Sequence, residues 1–414
     1  MLKKNKFVKL IIFLLNSFWA VPCAFLVLIL KPYLVISFQK IYVGAFGHFL
    51  LEGAEAYEKF QRKSKKEKRL FFYSNTNEIT NIQWAKMLER NLPIYPFFGY
   101  YVGKVLSVFF SKSINYIEST SIIHQSASTH FFSKKENTDN TPINFLASEN
   151  SLGYEWLNSQ GWKKGEPFIC LISRDQAYDN LYRDNNVTRT SHRNVPINEF
   201  KPAVEWLISQ GVWVFRMGLV AKEKLEITSP KFVDYAFCRS KSALLDIWLF
   251  ANCDGIISTA TGPDVLGILY KKPILHIGLS PLIGLWDFAQ TLTIPKNLLY
   301  SSDKRLLNLN QTLDFSWDPA YLPRFYKNAV DKNYQDWGIQ VVDPTALEIL
   351  SGVKEFWQRM NGTWVDLPGD SELQTAFWNT YKSHPYYQIN HNWKHPQALM
   401  GRDWLHSVGI DYLH

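Results

Sequence analysis

The chain is 414 residues long, 46% of them hydrophobic and 15% aromatic, and its formal net charge is +8. This length suits about two domains, and the hydrophobic content supports sizeable cores. The four cysteines form no CxxC pair and no metal-ligand spacing, so they argue against a zinc site or a disulfide scaffold and indicate free thiols. The charge suits phosphorylated substrates or an anionic membrane surface. We expect no nucleic-acid partner, because the basic run at residues 62–69 is one short loop without a recognised motif.

Residues 1–38 are predicted to associate with a membrane. No charged residue occurs in residues 10–30, a stretch long enough to cross about 30 Å of hydrocarbon as a helix. A cleaved signal peptide is an alternative, but no clear small-x-small cleavage site follows the apolar core before Lys31. Pro22 interrupts the core and lysines flank both of its ends, which favours a kinked helix pair in the interface over a spanning helix. The expected location is the cytoplasmic face of the inner membrane.

Residues 39–150 alternate between strand and helix patterns and predict a first Rossmann-like domain. Its first strand and turn, KIYVGAFGHF, place His48 beside two glycines where a helix begins. The later elements are a strand at LFFYS, a helix at IQWAKMLERN and a strand–helix pair within IYPFFGYYVGKVLSVFF. The polar stretch at residues 119–150 is expected to be a domain linker or a long functional loop.

Residues 151–345 repeat the alternation and predict a second Rossmann-like domain with a doubly wound parallel sheet. Its first strand, PFICLIS, is a near-continuous apolar run, as expected for a strand buried on both faces. Further strands are expected at VWVFRMG, FVDYA, GIIS and PILHIG, and helices at INEFKPAVEWLISQG, SALLDIWLFANC and GPDVLGILY. Residues 346–414 are predicted to form helices that cross back to the first domain.

A short polar turn, STATGPD at residues 258–264, separates the apolar strand GIIS from the helix after it. Such a turn brings hydroxyls and free N–H groups to the carboxyl end of a strand and the start of a helix, where open α/β sheets bind anions. The candidate ligand contacts are Ser258, Thr259, Thr261, Gly262, Pro263 and Asp264. The alternative is an ordinary turn with an N-cap hydroxyl and a proline at the first helical position.

The turn and its surroundings resemble a known family. Two α/β domains with C-terminal helices describe the GT-B architecture, which glycosyltransferases share with some nucleotide-sugar epimerases. The segment STATGPDVLGILYKKPILHIG is similar to the part of heptosyltransferase-type enzymes in which a hydroxyl-Gly-Pro turn opens the helix over the donor's phosphates. Residues 168–278 resemble a family of bacterial glycosyltransferases associated with surface-polysaccharide assembly. Asp264 departs from this pattern, since related enzymes commonly have an uncharged residue there and a carboxylate repels phosphate.

The resemblance implies two Rossmann-like domains that face a cleft, with the acceptor in residues 39–150 and the nucleotide-sugar donor in residues 151–345. Negative charge develops on the nucleotide diphosphate as it leaves, so the site must supply a metal or cations and N–H groups. No Asp-x-Asp motif occurs in the chain. We therefore expect a metal-independent reaction and no cofactor.

Two arginines and a tyrosine are further candidates for donor binding. Arg174 follows the strand PFICLIS and Arg216 ends the strand VWVFR, so both are expected at the carboxyl edge of the sheet, where either can hold a phosphate. Tyr178, four residues after Arg174, is a possible stacking or hydrogen-bonding contact. The alternative is that each arginine pairs with a neighbouring carboxylate, Asp175 or Asp234.

An inverting transfer also needs a general base to take the proton of the acceptor hydroxyl. In GT-B enzymes this base commonly comes from the N-terminal domain, so His48 is the first candidate and Glu52, one helical turn later, is the reserve. A capping or core histidine is the alternative interpretation of His48.

The predicted function is transfer of a sugar from a nucleotide-sugar donor to a surface-polysaccharide or lipid-linked glycan acceptor at a membrane surface. Two alternatives stay open. One is a nucleotide-sugar epimerase of the same shape, against which the apolar N-terminal segment counts, since an epimerase has no obvious need of an anchor. The other is a non-catalytic protein of a glycan-assembly complex.

Overall fold

The computed structural model describes most of the chain, and it divides into two compact units. The described residues are 6–61, 67–75, 78–113, 115–117, 143–177, 191–287, 289–317, 334–385, 387 and 394–413. Among them, residues up to 117 and 143–145 belong to the first unit, and those from Leu146 onwards belong to the second. The boundaries predicted at residues 38, 150 and 345 stay predictions.

The first unit is a small three-layer α/β structure. Its strands β1 (Val35–Ile41), β2 (Glu67–Tyr73) and β3 (Tyr116–Ile117) form a parallel sheet in the order β2-β1-β3. Its helices are α1 (Lys6–Leu30), α2 (Phe46–Gln61), α3 (Ile82–Glu89) and α4 (Phe98–Phe109). Alternate residues of a strand point to opposite faces, so Phe72 packs beside α1 and α4 while Tyr73 packs against Phe49 of α2.

The N-terminal apolar segment is part of this unit's core. Ala20, Ala24 and Val27 of α1 are buried in one cluster with Phe38 of β1 and Phe72 of β2. By length and composition, Ile11–Leu30 is the one stretch of the described chain that is long and apolar enough to cross a membrane. The sequence predicts a segment separate from the first domain, whereas the structure packs it on that domain's sheet, because its small side chains let α1 lie close against α4 and β1.

The second unit contains a seven-stranded sheet in which every pair of neighbours is parallel. Its strands are β4 (Phe168–Ile172), β5 (Trp213–Arg216), β6 (Phe232–Val233), β7 (Gly255–Ser258), β8 (Ile274–Leu279), β9 (Thr291–Pro295) and β12 (Leu399–Met400). They lie in the order β12-β9-β8-β7-β4-β5-β6. A separate antiparallel pair is formed by β10 (Asn297–Tyr300) and β11 (Ile339–Val342). The prediction of an α/β fold with a large parallel sheet is confirmed.

Helices cover both faces of this sheet. They are α5 (Ala147–Ser159), α6 (Lys201–Ser209), α7 (Leu245–Asn252), α8 (Asp264–Leu269), α9 (Leu309–Trp317), α10 (Ala346–Met360), α11 (Asp370–Ser383) and α12 (Arg402–Leu413). Along β4, Ile169 and Leu171 enter the core with α6 and α10, whereas Phe168 turns to the other face and packs edge-on against Phe215. The alternation explains the continuous apolar run of the strand, since a strand with helices on both faces has no solvent side.

The C-terminal helices pack in the core of the second unit, and the predicted return to the first domain stays a prediction. Val353 of α10, Phe377 of α11 and Trp404 of α12 are buried in the same core as strands β8 and β9. Gly352 marks how close α10 lies to the sheet, because a Cβ there would come within 2.0 Å of a methyl of Ile294 on β9. Within residues 346–413 the structure also places the short strand β12 where the sequence predicts helix throughout.

Candidate functional site

The second unit's sheet has a topological switch point between β4 and β7. The chain proceeds outward from β4 to β5 and β6, then returns to the other side of β4 with β7 and continues outward to β8 and β9. The carboxyl ends of β4 and β7 are therefore adjacent, with Ile172 paired to Ser258, while their connections leave in opposite directions. Open α/β sheets bind ligands in the crevice that forms at such a point.

The two segments that the sequence singles out meet at this point. The N–H of Arg174, just after β4, donates to the hydroxyl oxygen of Thr259, just after β7, at 2.7 Å. The N–H of Thr259 donates in turn to the carbonyl of Ile172. Thr259 is fully buried. Its hydroxyl therefore joins the two loops of the crevice, a role that the sequence did not predict.

The other polar side chains of the turn are directed inward. The N–H of Thr261 donates to the Asp264 carboxylate at 2.8 Å, and the hydroxyls of Ser258 and Thr261 lie 3.2 Å apart. All three residues are buried. The Asp264 carboxylate thus holds the turn from its buried side. This explains how a carboxylate can occur there without facing a ligand. The hydroxyls of Ser258, Thr259 and Thr261 bond within the protein, and their predicted contacts with a ligand stay predictions.

Only the apex of the turn faces solvent. Gly262 is exposed and Pro263 half-buried. Ala260, on the other side of the turn, has a φ of +56°, and its carbonyl accepts a hydrogen bond from the guanidinium of Arg193. Gly267 lets helix α8 lie directly on the sheet, because a Cβ there would come within 2.8 Å of methyl groups of β7 and β8. Backbone of this kind, tightly held and open at its tip, allows a ligand to approach the main chain closely.

A buried histidine lies beneath the turn. Nε2 of His276, in the middle of β8, is 3.3 Å from the Asp264 carboxylate, and both side chains are fully buried. The indole of Trp286 packs edge-on against the imidazole with ring centroids 5.7 Å apart. Sequence analysis missed this pair because His276 stands in an apolar strand with nothing beside it to mark its partner.

The two candidate arginines have different surroundings. Arg174 is half-buried at the crevice, where its backbone is tied to Thr259. Arg216 is 1% exposed, and its guanidinium donates to the Asp234 carboxylate at 3.1 Å and to the carbonyl of Glu223. The alternative interpretation of Arg216, an internal ion pair, therefore describes its environment.

Lys296 and His192 also lie at the carboxyl edge, and of these the sequence pointed only to His192, as part of a polar loop whose contact is either the surface or the donor. Lys296 directly follows β9, and its buried ammonium group donates to the carbonyl of Asn194 and to the Asp343 carboxylate. His192, just before Arg193, packs against the ring of Tyr334. Position is the only sequence signal for either residue. Lys296 directly follows a strand that the sequence analysis overlooked, and His192 lies within the polar loop before residue 195.

In the first unit the candidate base lies at the carboxyl end of β1. His48 is exposed, two residues inside helix α2, and its imidazole packs edge-on against the Tyr42 ring at 6.1 Å. Glu52 is buried and its carboxylate accepts the N–H of Tyr42 at 2.8 Å. The reserve candidate is therefore engaged in closing the strand–helix turn, while His48 stays accessible.

Two further predictions concern Tyr178 and the absence of a metal ion. Tyr178 lies outside the described residues. Among the residues that the structure does describe, no group of three or more histidine, cysteine or acidic side chains could hold a metal ion. The expectation of a metal-independent reaction stays a prediction.

No family model and no curated protein matches the sequence. Among solved structures, the chain is similar to a glycosyl transferase of family 9 from Veillonella parvula DSM 2008, with 11% identity and a TM-score of 0.37 over 64% of this chain and 86% of that one. For the ADP-heptose LPS heptosyltransferase II of E. coli the values are 12% and 0.32, over 59% and 86%. A protein described as a UDP-N-acetylglucosamine 2-epimerase from Listeria monocytogenes gives 8% and 0.29, over 80% and 99%. Values this low decide neither the activity nor the substrate of this chain.

Proposed function

We propose that the second unit binds the diphosphate of a nucleotide ligand at the switch point between β4 and β7. The observation that carries this proposal is the hydrogen bond from Arg174 to Thr259, which joins the loops after two strands whose connections diverge. A crevice of this kind is where doubly wound sheets take their ligands. The exposed apex at Gly262 and Pro263 supplies backbone that a phosphate can approach.

The charges around the crevice favour an anionic ligand. Arg174 and Arg193 both belong to segments that touch the turn, and the turn's own carboxylate, Asp264, is buried and used internally. Guanidinium groups hold phosphate oxygens by two parallel hydrogen bonds. Cations and N–H groups can thus stabilise the negative charge of a departing diphosphate without a metal ion.

Among proteins that bind a nucleotide diphosphate, we assign this one to sugar transfer from a nucleotide-sugar donor. The assignment rests on the resemblance of residues 168–278 to glycosyltransferases of surface-polysaccharide assembly. In the reaction, an acceptor hydroxyl attacks the anomeric carbon, the bond from that carbon to the diphosphate oxygen breaks, and a base takes the hydroxyl proton. The acceptor class is a surface polysaccharide or a lipid-linked glycan.

His48 is proposed as the base, since it is exposed at a strand end of the first unit while Glu52 is buried. His48→Gln should lower kcat by about 10²-fold or more, the usual effect of removing a general base, and leave donor affinity unchanged. A variant with wild-type kcat would remove His48 from the mechanism but not the nucleotide from the crevice.

The test of the function is a donor screen with the purified full chain. UDP-, GDP-, ADP- and CMP-sugars are incubated with and without EDTA, and nucleotide release, acceptor glycosylation and donor isomerisation are followed separately. The proposal predicts nucleotide release from one donor class, undiminished by EDTA. Isomerised donor without transfer would indicate the epimerase instead, and loss of activity in EDTA with rescue by manganese would contradict the metal-independent mechanism.

A further inference from the structure

Helix α1 has a continuous apolar face that the protein leaves uncovered. Phe18 is 90% exposed, Leu15 70% and Ile29 68%. Residues spaced by three or four positions share one side of a helix. This exposed face of α1 consists of Ile11, Leu14, Leu15, Phe18, Phe25, Leu26 and Ile29. A surface helix of a water-soluble protein normally turns polar side chains to solvent, so a large contiguous apolar face indicates a binding surface.

The opposite face of α1 is fixed to the first unit. Ala20, Ala24 and Val27 are buried with Phe38 of β1, and β1 begins only five residues after α1 ends. A helix crossing a bilayer would have to leave this core and leave the sheet uncovered. Removal of the segment as a signal peptide would expose the same core. The helix therefore belongs to the folded unit and turns only its outer side to the solvent.

Helix α4 extends the apolar surface beside α1. Trp19 stacks on the ring of Phe97 at 5.8 Å, and Phe25 packs edge-on against Phe110 at 5.9 Å. Phe97 is 62% exposed, and so is Phe109, at 67%, at the other end of α4. The polar atoms inside α1 are satisfied locally, since Asn16 donates to a carbonyl one turn earlier and accepts from the Trp19 indole. The surface is thus broad and rich in aromatic rings, and the polar side chain of Asn16 has its hydrogen-bond partners within α1.

Lysines lie next to this surface. Lys31 directly follows α1, Lys104 is on α4, and Lys112 comes three residues after α4 ends. Lys31, Lys104 and Lys112 are exposed. An apolar helix face with basic residues at its margins is the pattern of helices that lie in the headgroup region of anionic membranes. A second copy of this chain would bring the same lysines and so no complementary charge.

We propose that the exposed face of α1 docks the first unit flat on an anionic lipid bilayer, with the helix in the plane of one leaflet and not across it. The docking is independent of the nucleotide site and of any activity. It requires Phe18, Leu15 and their neighbours to enter the headgroup and acyl boundary while Ala20, Ala24 and Val27 stay in the protein core.

The first experiment is flotation of the full chain with vesicles of phosphatidylethanolamine and phosphatidylglycerol, and with vesicles of phosphatidylcholine alone. The wild type should float with the anionic vesicles, and less so at high salt. The double variant Leu15→Glu with Phe18→Glu should bind the anionic vesicles at least about tenfold more weakly than the wild type, since it puts two charges on the docking face. The control Leu347→Glu with Val365→Glu changes two residues of similar exposure in the second unit and should bind like wild type.

The same experiment can overturn the proposal. Equal flotation of the Leu15/Phe18 variant and the wild type, with both folded by circular dichroism, would show that this face does not carry binding. Absence of wild-type flotation together with a dimer in light scattering that the double variant abolishes would assign the face to a second copy instead.

Orientation is tested by labelling. Asn5→Cys or Tyr33→Cys is introduced, one at a time, in a chain whose partly buried Cys23 and Cys238 are replaced by alanine and whose buried Cys170 and Cys253 are kept, and the protein is added to preformed vesicles. The in-plane helix predicts that a membrane-impermeant maleimide added outside labels both sites. Protection of one site, released by detergent, would show a spanning helix and contradict the proposal.

Discussion

At the residue scale, two arginines that look alike in the sequence should behave differently. Arg174→Ala should weaken nucleotide binding by about tenfold or more with little change in stability, because the side chain lies half-buried at the crevice. Arg216→Ala should instead lower the free energy of unfolding by about 3 kcal/mol, since it leaves Asp234 without its buried partner. Calorimetric titration and urea unfolding of both variants measure the difference. Equal effects of the two substitutions on binding alone would place both side chains at the ligand.

Asp246 gives a pH dependence of stability whose sign is set by burial. Desolvation raises the pKa of this carboxyl to about 6, against the opposing hydrogen bond from Tyr235 and the charge of Lys241. The folded protein therefore binds the proton more tightly than the unfolded chain. The stabilisation is complete below about pH 4 and is lost as the pH rises through about 6.

Asp246→Asn should remove this dependence. The variant should be more stable than the wild type above about pH 7, by on the order of 1–3 kcal/mol, and its stability should change less between about pH 4 and 7. The amide oxygen can still accept the Tyr235 hydroxyl, whose distance to the carboxylate is 2.9 Å. Urea unfolding of the two proteins at matched pH values checks the prediction. Parallel stability profiles would contradict it.

At the element scale, the predictable parts of the site were the long apolar strands. The runs that became β4, β7 and β8 are buried on both faces, so their composition alone identifies them. Strand β6 lies within the predicted strand FVDYA, whereas β12 has two residues and gains its identity from pairing with β9, which no local pattern encodes. The inward direction of Thr261 and the cap from Asp264 were also unpredictable, because a hydroxyl suits a ligand and a capping network equally well.

The packing of α1 predicts the result of a deletion. Removal of residues 1–31 takes Ala20, Ala24 and Val27 out of the first unit's core, so this unit should unfold while the second unit stays folded. The sequence alone suggests the opposite, a soluble protein with both domains intact. Hydrogen exchange measured by mass spectrometry should show loss of protection in strands β1 and β2 and wild-type protection in β4 and β7. Full protection of β1 in the truncated chain would show that α1 is dispensable.

At the scale of the whole molecule, the sequence predicts a doubly wound sheet but not the order of its strands. Alternating strands and helices imply a doubly wound sheet, and parallel crossovers of one hand limit the possible orders. The placement of helices α10–α12 was not predictable from their patterns, since an amphipathic helix does not specify which domain covers its apolar face. Close contacts such as the one between Gly352 of α10 and Ile294 of β9 hold these helices on the second unit's sheet.

The most direct test of the central claim is calorimetric titration of nucleoside diphosphates into the wild type and Gly262→Val. Gly262 is exposed at the apex of the turn, so a branched side chain there should block the approach of a phosphate without disturbing the core. Gly284→Val is the control, since Gly284 has open space around its Cβ position. We predict that UDP, GDP or ADP binds the wild type and the control equally, and binds Gly262→Val at least about tenfold more weakly, at an unchanged melting temperature. Wild-type affinity in a folded Gly262→Val protein would show that the turn is only a helix cap and that the nucleotide binds elsewhere.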